Sequence, residues 1–363
     1  MSPQPTINNL CTRGFYRIHA GGEAMAFQIT IEPSSRVFAA EEGEAILAAA
    51  LRQGLLLPYG CRNGHCGACR GKVIEGSVEH GEAQLETLSA ADRAAGEALF
   101  CCARARSDLR IAGRELTSAR ELTLKTLPAR VQTMRLAAPD VMIVELKLPS
   151  AERLQFFAGQ YIDIVLKDGR RRSFSLANAP HDDALLELHI RRTGGGGFTE
   201  HVFTTMKARD MLRINGPLGG FYLREDSARP IVLVAGGTGF APIKAIVEHA
   251  LAEGSTRPMT LYWGGKARAD LYQLELAERW AAGHAHFRFV PVLSGPPAET
   301  WNGRRGLVHR AVMEDFPDLS AHQAYVCGSP AMVAAARADF VGQCRLPGNE
   351  LFADSFDPAV DGG

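Results

Sequence analysis

The segment that most constrains the fold is Tyr59-Gly60-Cys61-Arg62-Asn63-Gly64-His65-Cys66-Gly67-Ala68-Cys69, with Cys101 and Cys102 further along the chain. Three cysteines separated by four and then two residues, with a distant fourth, follow the plant-type ligand spacing of a 2Fe–2S cluster. The glycines allow backbone N–H groups to approach the cluster sulfurs and stabilise their negative charge. The spacing leaves Cys101 and Cys102 as alternatives for the fourth ligand.

Cysteine usage also indicates the compartment. Five of the eight cysteines lie within residues 61–102, and the first twenty residues lack the apolar core of a secretory signal. In a chain of this length, the crowding indicates metal ligation in a reducing cytoplasm and not a disulfide framework. A structural zinc site is the alternative, although zinc sites usually use paired C-x2-C units.

The overall composition excludes several classes of function. The 363 residues include 40 Lys and Arg and 40 Asp and Glu, so the formal net charge is zero. This balance argues against a nucleic-acid binder with a broad basic surface. Hydrophobic residues make up 46% of the chain, which indicates folded domains with buried cores. At roughly 100–200 residues per domain, we expect two or three domains. No run of about 18 apolar residues is present, so the sequence predicts no membrane span.

Residues 25–113 are predicted to form a small domain of mixed helix and strand. Apolar and polar residues alternate over 27–32, as in a half-buried strand. A helix is expected over 44–53, and Ser89 with Asp92 has the spacing of a capping box. The remaining assignments are strands at 73–78, with a turn at Gly76, and at 109–111, a disordered extension at 1–24 and a linker at 114–126.

The pattern changes twice after the linker. Regularly spaced short strands with Gly and Pro turns over 127–227 predict an antiparallel barrel. Continuous apolar strands alternating with helices over 228–363 predict an α/β domain with a mainly parallel sheet. The strands are predicted at 130–135, 142–148, 161–166, 185–191 and 212–214 in the barrel, and at 231–234, 259–263, 287–292 and 325–327 behind it.

Two motifs in the barrel region suit a phosphorylated aromatic cofactor. Arg172-Ser173-Phe174-Ser175 offers a cation for a pyrophosphate, a ring for stacking and a hydroxyl group. Gly194-Gly195-Gly196-Gly197-Phe198-Thr199 precedes a predicted helix, where backbone N–H groups and the helix dipole form an anion site. Taken alone, the first motif also fits a polar strand end, and the second a flexible hairpin.

Two further motifs lie in the predicted α/β domain. Gly236-Gly237-Thr238-Gly239 follows an apolar strand and opens a helix, an arrangement that can hold a dinucleotide pyrophosphate although it is not a G-x-G-x-x-G fingerprint. Cys327-Gly328-Ser329-Pro330, with Met332, follows the last apolar strand. A cysteine at a strand end is usually a small buried hydrophobe, so only the surrounding residues make this one a candidate.

Taken together, these motifs resemble those of the one-component iron–sulfur flavoprotein reductases of the ferredoxin–NADP reductase superfamily. The resemblance covers residues 25–356, and it implies a β-grasp ferredoxin domain, an antiparallel β-barrel for FAD and an α/β nicotinamide domain, in that order. The family usually has Tyr where this chain has Phe174. Residues 56–64 and 353–356 resemble the CDP-6-deoxy-glucoseen reductase type. The same family includes the reductase components of benzoate-type dioxygenases, phenol hydroxylase and methane monooxygenase.

The resemblance also assigns roles to individual residues. The family's last cluster ligand lies six residues before a Ser-Asp pair, which selects Cys101 and leaves Cys102 as a packed neighbour. Ser175, Cys327 and Phe356 are implied at the hydride path, with Ser175 near the flavin N5 and Phe356 over the flavin ring. The implied cluster ligands are Cys61, Cys66, Cys69 and Cys101, and the implied FAD and nicotinamide contacts are Arg172, Phe174, Ser175, His189, Ile190, Gly195, Gly196, Thr199, Gly237, Thr238, Gly239, Cys327, Gly328, Pro330 and Met332.

The function that the resemblance implies is an NAD(P)H-dependent oxidoreductase that contains FAD and a 2Fe–2S cluster. It would pass electrons to a partner protein, either an oxygenase or a deoxysugar dehydratase component. NADH is favoured, and Lys266 and Arg268 keep NADPH as an alternative because a 2′-phosphate needs cations. A zinc-stabilised nucleotide-binding or regulatory module without redox turnover is the alternative function.

Arginines near the cluster segments predict a basic rim that would dock an acidic acceptor, with ordinary solvated charge as the alternative. The arginines concerned are Arg62, Arg70, Arg104 and Arg106.

Overall fold

The structure, a computed structural model, describes residues 26–53, 55, 57–58, 64, 67, 69–85, 87–113, 115, 122–193, 197–296 and 301–356. The predictions for residues 1–24 and for most of the 114–126 linker lie outside the described residues. Three main sheets follow one another along the chain.

The first sheet has five strands in the order β2-β1-β7-β3-β5, and only the β1–β7 pair is parallel. Alternate residues of its strands, such as Ile29, Ile31 and Ile111, are fully buried and form the core with the short helix α1. The elements are β1 (Ala26–Glu32), β2 (Arg36–Glu41), α1 (Ile46–Arg52), β3 (Arg70–Glu75), β4 (Val78–Glu79), α2 (Ala90–Ala94), β5 (Glu97–Leu99), β6 (Arg104–Ala105) and β7 (Leu109–Ala112).

The second sheet is an antiparallel barrel with strand order β11-β10-β13-β8-β9-β12. An isolated bridge between Leu176 and Leu188 joins the regions of its two edge strands. The barrel interior is filled by aliphatic residues from alternate strand positions, as in other small barrels. Its elements are β8 (Lys125–Ala138), β9 (Val141–Lys147), β10 (Tyr161–Val165), β11 (Arg171–Ser175), β12 (Leu186–Arg191), α3 (Gly197–Thr204) and β13 (Met211–Leu218).

The third sheet is parallel at every described pairing, with strand order β17-β16-β15-β14-β18-β19. Its central strand β14 is buried on both faces, which explains the unbroken apolar run at 231–234. The elements are β14 (Ile231–Gly236), α4 (Phe240–Ala252), β15 (Met259–Gly265), α5 (Leu274–Gly283), β16 (Phe287–Leu293), β17 (Arg304–Arg305), α6 (Val308–Asp315), β18 (Gln323–Gly328), α7 (Pro330–Gly342) and β19 (Leu351–Ser355).

The barrel contributes side chains to the cores on both of its sides. Phe157 belongs to the core of the first domain, whereas its neighbour Ala158 belongs to a core of the third. A second barrel segment, Phe221-Tyr222, is divided in the same way. Phe221 packs in the core of the third domain, and Tyr222 packs against the core of the first. The Phe157 and Tyr222 rings stack at 5.0 Å. Two short barrel segments therefore join the three units into one packed body.

The predicted fold class is confirmed: mixed helix and strand, then an antiparallel barrel, then a parallel α/β domain. The capping box is also present, with the Ser89 hydroxyl accepting from the Asp92 N–H and the Asp92 carboxylate from the Ser89 N–H. The strand predicted at 73–78 is interrupted at Gly76, whose positive φ of 93° places a turn between β3 and β4. Several strands were not predicted from the sequence, namely β2, β5, β6, β11, β17 and β19. Strand β11 was missed because it is polar, and β19 because it lies in the tail.

Among the described residues, no helix is long and apolar enough to cross a membrane.

We predict that Phe157→Ala will loosen the first domain, because it removes a barrel ring from that domain's core. A loss of about 3–5 kcal/mol is expected for a buried Phe. Hydrogen exchange should show faster exchange of amides in 26–112, while Leu136→Ala, an exposed barrel change, should leave them unaltered. Unchanged exchange in 26–112 of the Phe157→Ala variant would contradict this packing.

Candidate functional site

Two of the four predicted cluster ligands lie side by side at one end of the first sheet. Cys69 directly precedes β3 and Cys101 closely follows β5, and these strands pair with Arg70 opposite Leu99. Cys69 is buried and Cys101 is half-buried. A hydrogen bond from the Cys69 thiol lowers the pKa of Cys101 to about 6, against the opposing effect of burial. Cys61 and Cys66 lie outside the described residues.

The surroundings of these sulfurs fit a group held by thiolates. Gly64, with φ of 80°, presents its N–H to Cys101 and lies against Cys102. A Cβ at Gly64 would stand 2.9 Å from the Cys102 sulfur, so glycine is required there. Cys102 itself is buried, and its sulfur lies 3.6 Å from that of Cys101. Spacing alone did not indicate that Cys102 touches both the loop and a predicted ligand.

The predicted flavin motif forms strand β11 at the edge of the barrel. Ser175 is 5% exposed, and its Oγ atom is buried with no hydrogen-bond partner among the described residues. A buried hydroxyl without a partner costs about 1–3 kcal/mol, so this atom fits a bound cofactor that supplies the partner. Phe174 packs near Phe198 at 5.7 Å, and the Arg172 guanidinium donates to the Arg171 carbonyl.

Other predicted flavin contacts have side chains that are already engaged. Both ring nitrogens of His189 have partners, Nδ1 with the Tyr272 hydroxyl at 2.8 Å and Nε2 with Glu187 at 2.6 Å. Ile190 is buried in the barrel core. Their strand β12 lies at the sheet edge, which leaves part of its backbone for a cofactor. Thr199, in the first turn of α3, lies 2.9 Å from the Thr193 hydroxyl, and Gly195 and Gly196 lie outside the described residues.

The glycine positions of the turn after β14 are packed closely against neighbouring residues. A Cβ at Gly239 would clash with the Cys327 carbonyl, and one at Gly237 would stand 2.7 Å from the Arg191 guanidinium. Gly236 and Gly328 face each other around Met332 in the same way. Thr238 lies within the turn, and Pro330 opens α7. The turn thus brings backbone N–H groups and two strand ends together, as a dinucleotide pyrophosphate requires.

Cys327 and the C-terminal tail lie beside this turn. Burial, reinforced by the charge of Asp354, raises the pKa of Cys327 well above its usual value, so it is a neutral thiol. Strand β19 pairs Asp354 with Cys327 and carries the chain to Phe356, whose N–H donates to the Gly328 carbonyl at 2.9 Å. The added strand, which the sequence did not indicate, is what places Phe356 beside Gly328.

The barrel and third domain are joined by polar contacts that sequence reasoning missed. Lys244 of α4 donates to the Ala177 carbonyl at 3.1 Å and pairs with Glu187. Arg191 of the barrel pairs with Asp270 at 3.2 Å. Residues so distant in sequence give no local pattern, and only the polar residues in an apolar helix, such as Lys244, offered a signal.

The charged rim around the cluster segment is largely neutralised. Arg104 and Arg106 share Glu79, and Arg70 pairs with Asp92 at 3.4 Å. Arg62 lies outside the described residues. The described arginines therefore fit ordinary solvated charge better than a free basic surface.

Comparison with known families gives a match in each domain. Residues 29–106 match the 2Fe-2S iron-sulfur cluster binding domain, 128–222 the oxidoreductase FAD-binding domain and 233–338 the oxidoreductase NAD-binding domain. The first match supports an iron–sulfur cluster and gives no support to the zinc alternative.

Whole-length relatives have the same organisation. The CDP-6-deoxy-L-threo-D-glycero-4-hexulose-3-dehydrase reductase of Yersinia pseudotuberculosis is 39% identical over 335 residues, covering 92% of this chain and 100% of that protein. The aromatic O-demethylase reductase subunit of Amycolatopsis is 40% identical over 342 residues, with 92% and 100% coverage. A crystal structure of a cytochrome P450 reductase from Amycolatopsis superposes with a TM-score of 0.62 at 39% identity, covering 92% of this chain and 99% of that one.

We predict that Gly239→Ala will impair the dinucleotide site, because the new Cβ clashes with the Cys327 backbone, which has no freedom to rotate away. Flavin reduction by NADH in stopped flow should slow about tenfold or more, with FAD and iron content unchanged. Gly283→Ala, where a Cβ meets nothing within 4 Å, is the matched control. Equal rates in the two variants would rule out this turn as the coenzyme site.

Proposed function

The chain belongs to the iron–sulfur flavoprotein reductases of the ferredoxin–NADP reductase superfamily, and on this basis we propose that it carries electrons from NADH through FAD and a 2Fe–2S cluster to a partner protein. We assign the ferredoxin domain to residues 25–113, the FAD barrel to 127–227 and the nicotinamide domain to 228–363. A cytoplasmic location is part of the proposal, because the cluster cysteines need reducing conditions.

The observation that carries the proposal is the contact between strand β12 of the barrel and the glycine turn of the third domain. A Cβ at Gly237 would stand 2.7 Å from the Arg191 guanidinium, and the His189 ring lies 2.8 Å from the Tyr272 hydroxyl. Ser175, whose Oγ has no partner among the described residues, ends β11, which the Leu176–Leu188 bridge joins to β12. The flavin and the nicotinamide would stack where these two domains meet.

The protein residues have distinct tasks at this site. When bound, FAD accepts a hydride and releases electrons singly, and the cluster relays single electrons. Ser175 would hold a hydrogen bond at the reacting edge of the flavin, and Arg172 would neutralise a pyrophosphate. Cys327, as an uncharged thiol, would pack beside the nicotinamide without adding a repelling charge. Phe356 would cover the flavin ring and exclude water from it.

The same assignment extends to the remaining contacts predicted from sequence. Gly237, Thr238, Gly239, Gly328, Pro330 and Met332 are proposed at the coenzyme, Phe174, His189, Ile190, Gly195, Gly196 and Thr199 at FAD, and Cys61, Cys66, Cys69 and Cys101 at the cluster.

The electron acceptor is proposed to be a dehydratase component of deoxysugar synthesis or an oxygenase component. The names of relatives at similar identity point to both kinds of partner: the dehydrase reductase is 39% identical, and a terephthalate 1,2-dioxygenase reductase component of Comamonas is 37% identical. Mixing the NADH-reduced protein with a purified acceptor of each kind, and following reoxidation of the cluster in stopped flow, distinguishes them. Failure of NADH to reduce the cluster at all would refute the proposed function, whichever acceptor is present.

We predict that Ser175→Ala will slow flavin reduction by NADH about tenfold, which corresponds to the ~1.4 kcal/mol of one hydrogen bond. FAD content should remain close to one per chain, since only one contact is lost. Ser173→Ala, on the same strand, is the control because the Ser173 hydroxyl is used by Asp163 at 2.7 Å. An unchanged rate in Ser175→Ala would remove Ser175 from the reaction site.

A further inference from the structure

A second group of metal-binding side chains lies well apart in sequence from the cysteines. Glu225 follows the barrel, and His249 and Glu253 lie four residues apart on one side of α4 and its C-terminal cap. The Nε2 atom of His249 is 3.0 Å from the Glu225 carboxylate and 2.6 Å from the Glu253 carboxylate. All three potential ligand atoms lie within 4.8 Å of one another.

Hydrogen bonding alone leaves this group incompletely satisfied. The side chain of His249 is 2% exposed, and its Nε2 atom can offer one proton to two carboxylate oxygens. Glu225 takes that proton, while the nearby Glu253 oxygen is buried with no hydrogen-bond partner among the described residues. A buried carboxylate oxygen without a hydrogen-bond donor is costly, and a bound cation would supply a further partner for it.

The charge balance points to a divalent ion. Two carboxylates and a neutral imidazole carry two negative charges, which one divalent cation cancels. The charges around the group are of both signs. Arg36 is a cation near Glu225, and Arg257 is a cation near Glu253. The anion Asp182 lies near His181, whose ring stacks on that of His249 with the ring centroids 6.1 Å apart.

The distances suit a small transition-metal ion. Bonds of about 2.0–2.2 Å from a tetrahedral zinc to N and O ligands place the ligand atoms roughly 3.3 Å apart. The separations of 2.6 and 3.0 Å therefore need only small outward movements of two flexible Glu side chains.

We propose that Glu225, His249 and Glu253 bind a divalent transition-metal ion, of which Zn²⁺ fits the ligand set best, with water at the fourth position. The ion ties the segment leaving the barrel to the far end of α4, the helix that begins at the glycine turn. It serves to hold the nicotinamide domain against the barrel, and it has no part in accepting electrons.

Manganese is the probe for this site, because Mn²⁺ favours oxygen ligands and does not compete for the cysteines. The test uses the air-oxidised holoprotein, whose cluster and flavin are EPR-silent. The EPR signal of free Mn²⁺ should decrease by the amount that corresponds to one Mn²⁺ bound per chain. Zn²⁺ should displace it, following the order of metal affinities. The bound Mn²⁺ should show coupling to a single imidazole nitrogen in pulsed EPR.

Glu253→Gln and Glu225→Gln should each weaken Mn²⁺ binding at least tenfold, with FAD and iron content at parental levels as proof of folding. Glu278→Gln, an exposed change on α5, should bind like the parent. Absence of stoichiometric binding, absence of the nitrogen coupling, or parental affinity in both variants overturns the site. None of these results depends on electron transfer, so the proposed function stands or falls separately.

Discussion

The arrangement of the three domains depends on two barrel segments whose adjacent side chains point into different cores. Phe157 enters the first domain while Ala158 enters the third, and Tyr222 and Phe221 divide in the same way. Since neighbouring residues of each segment enter different cores, two short segments suffice to pack both flanking domains on the barrel. This shared packing sets the distance between the cluster segment and Ser175, on which the proposed electron transfer depends.

Buried polar groups at the interface fix the position of the nicotinamide domain relative to the barrel. Burial would raise the pKa of Glu187, but a hydrogen bond from His189 and the charge of Lys244 lower it to about 2. Burial lowers the pKa of His189, so its neutral ring donates through Nε2 to Glu187 and accepts from Tyr272. A fully connected network of this kind specifies one docking geometry, because any other leaves charges unpaired.

Sequence patterns predicted what is local, and they missed what is not. Cysteine spacing, the apolar run of β14 and the glycine turn each reflect neighbouring residues, and they predicted the domain order. Strand β11 was not predicted because its residues are polar. The His189–Tyr272 contact was not predicted because it joins residues 83 positions apart in the sequence. The individual site assignments remain predictions, for which Ser175 has the clearest structural support in its unpartnered Oγ.

The most direct test of the account is the Cys101→Ser variant, assayed for iron content and for reduction of cytochrome c, a one-electron acceptor. We expect it to lose most of its iron and visible cluster absorbance and to reduce cytochrome c far more slowly, while NADH still bleaches its flavin, because the barrel and third domain are untouched. Full iron content together with parental cytochrome c reduction would contradict the proposed route from flavin to cluster.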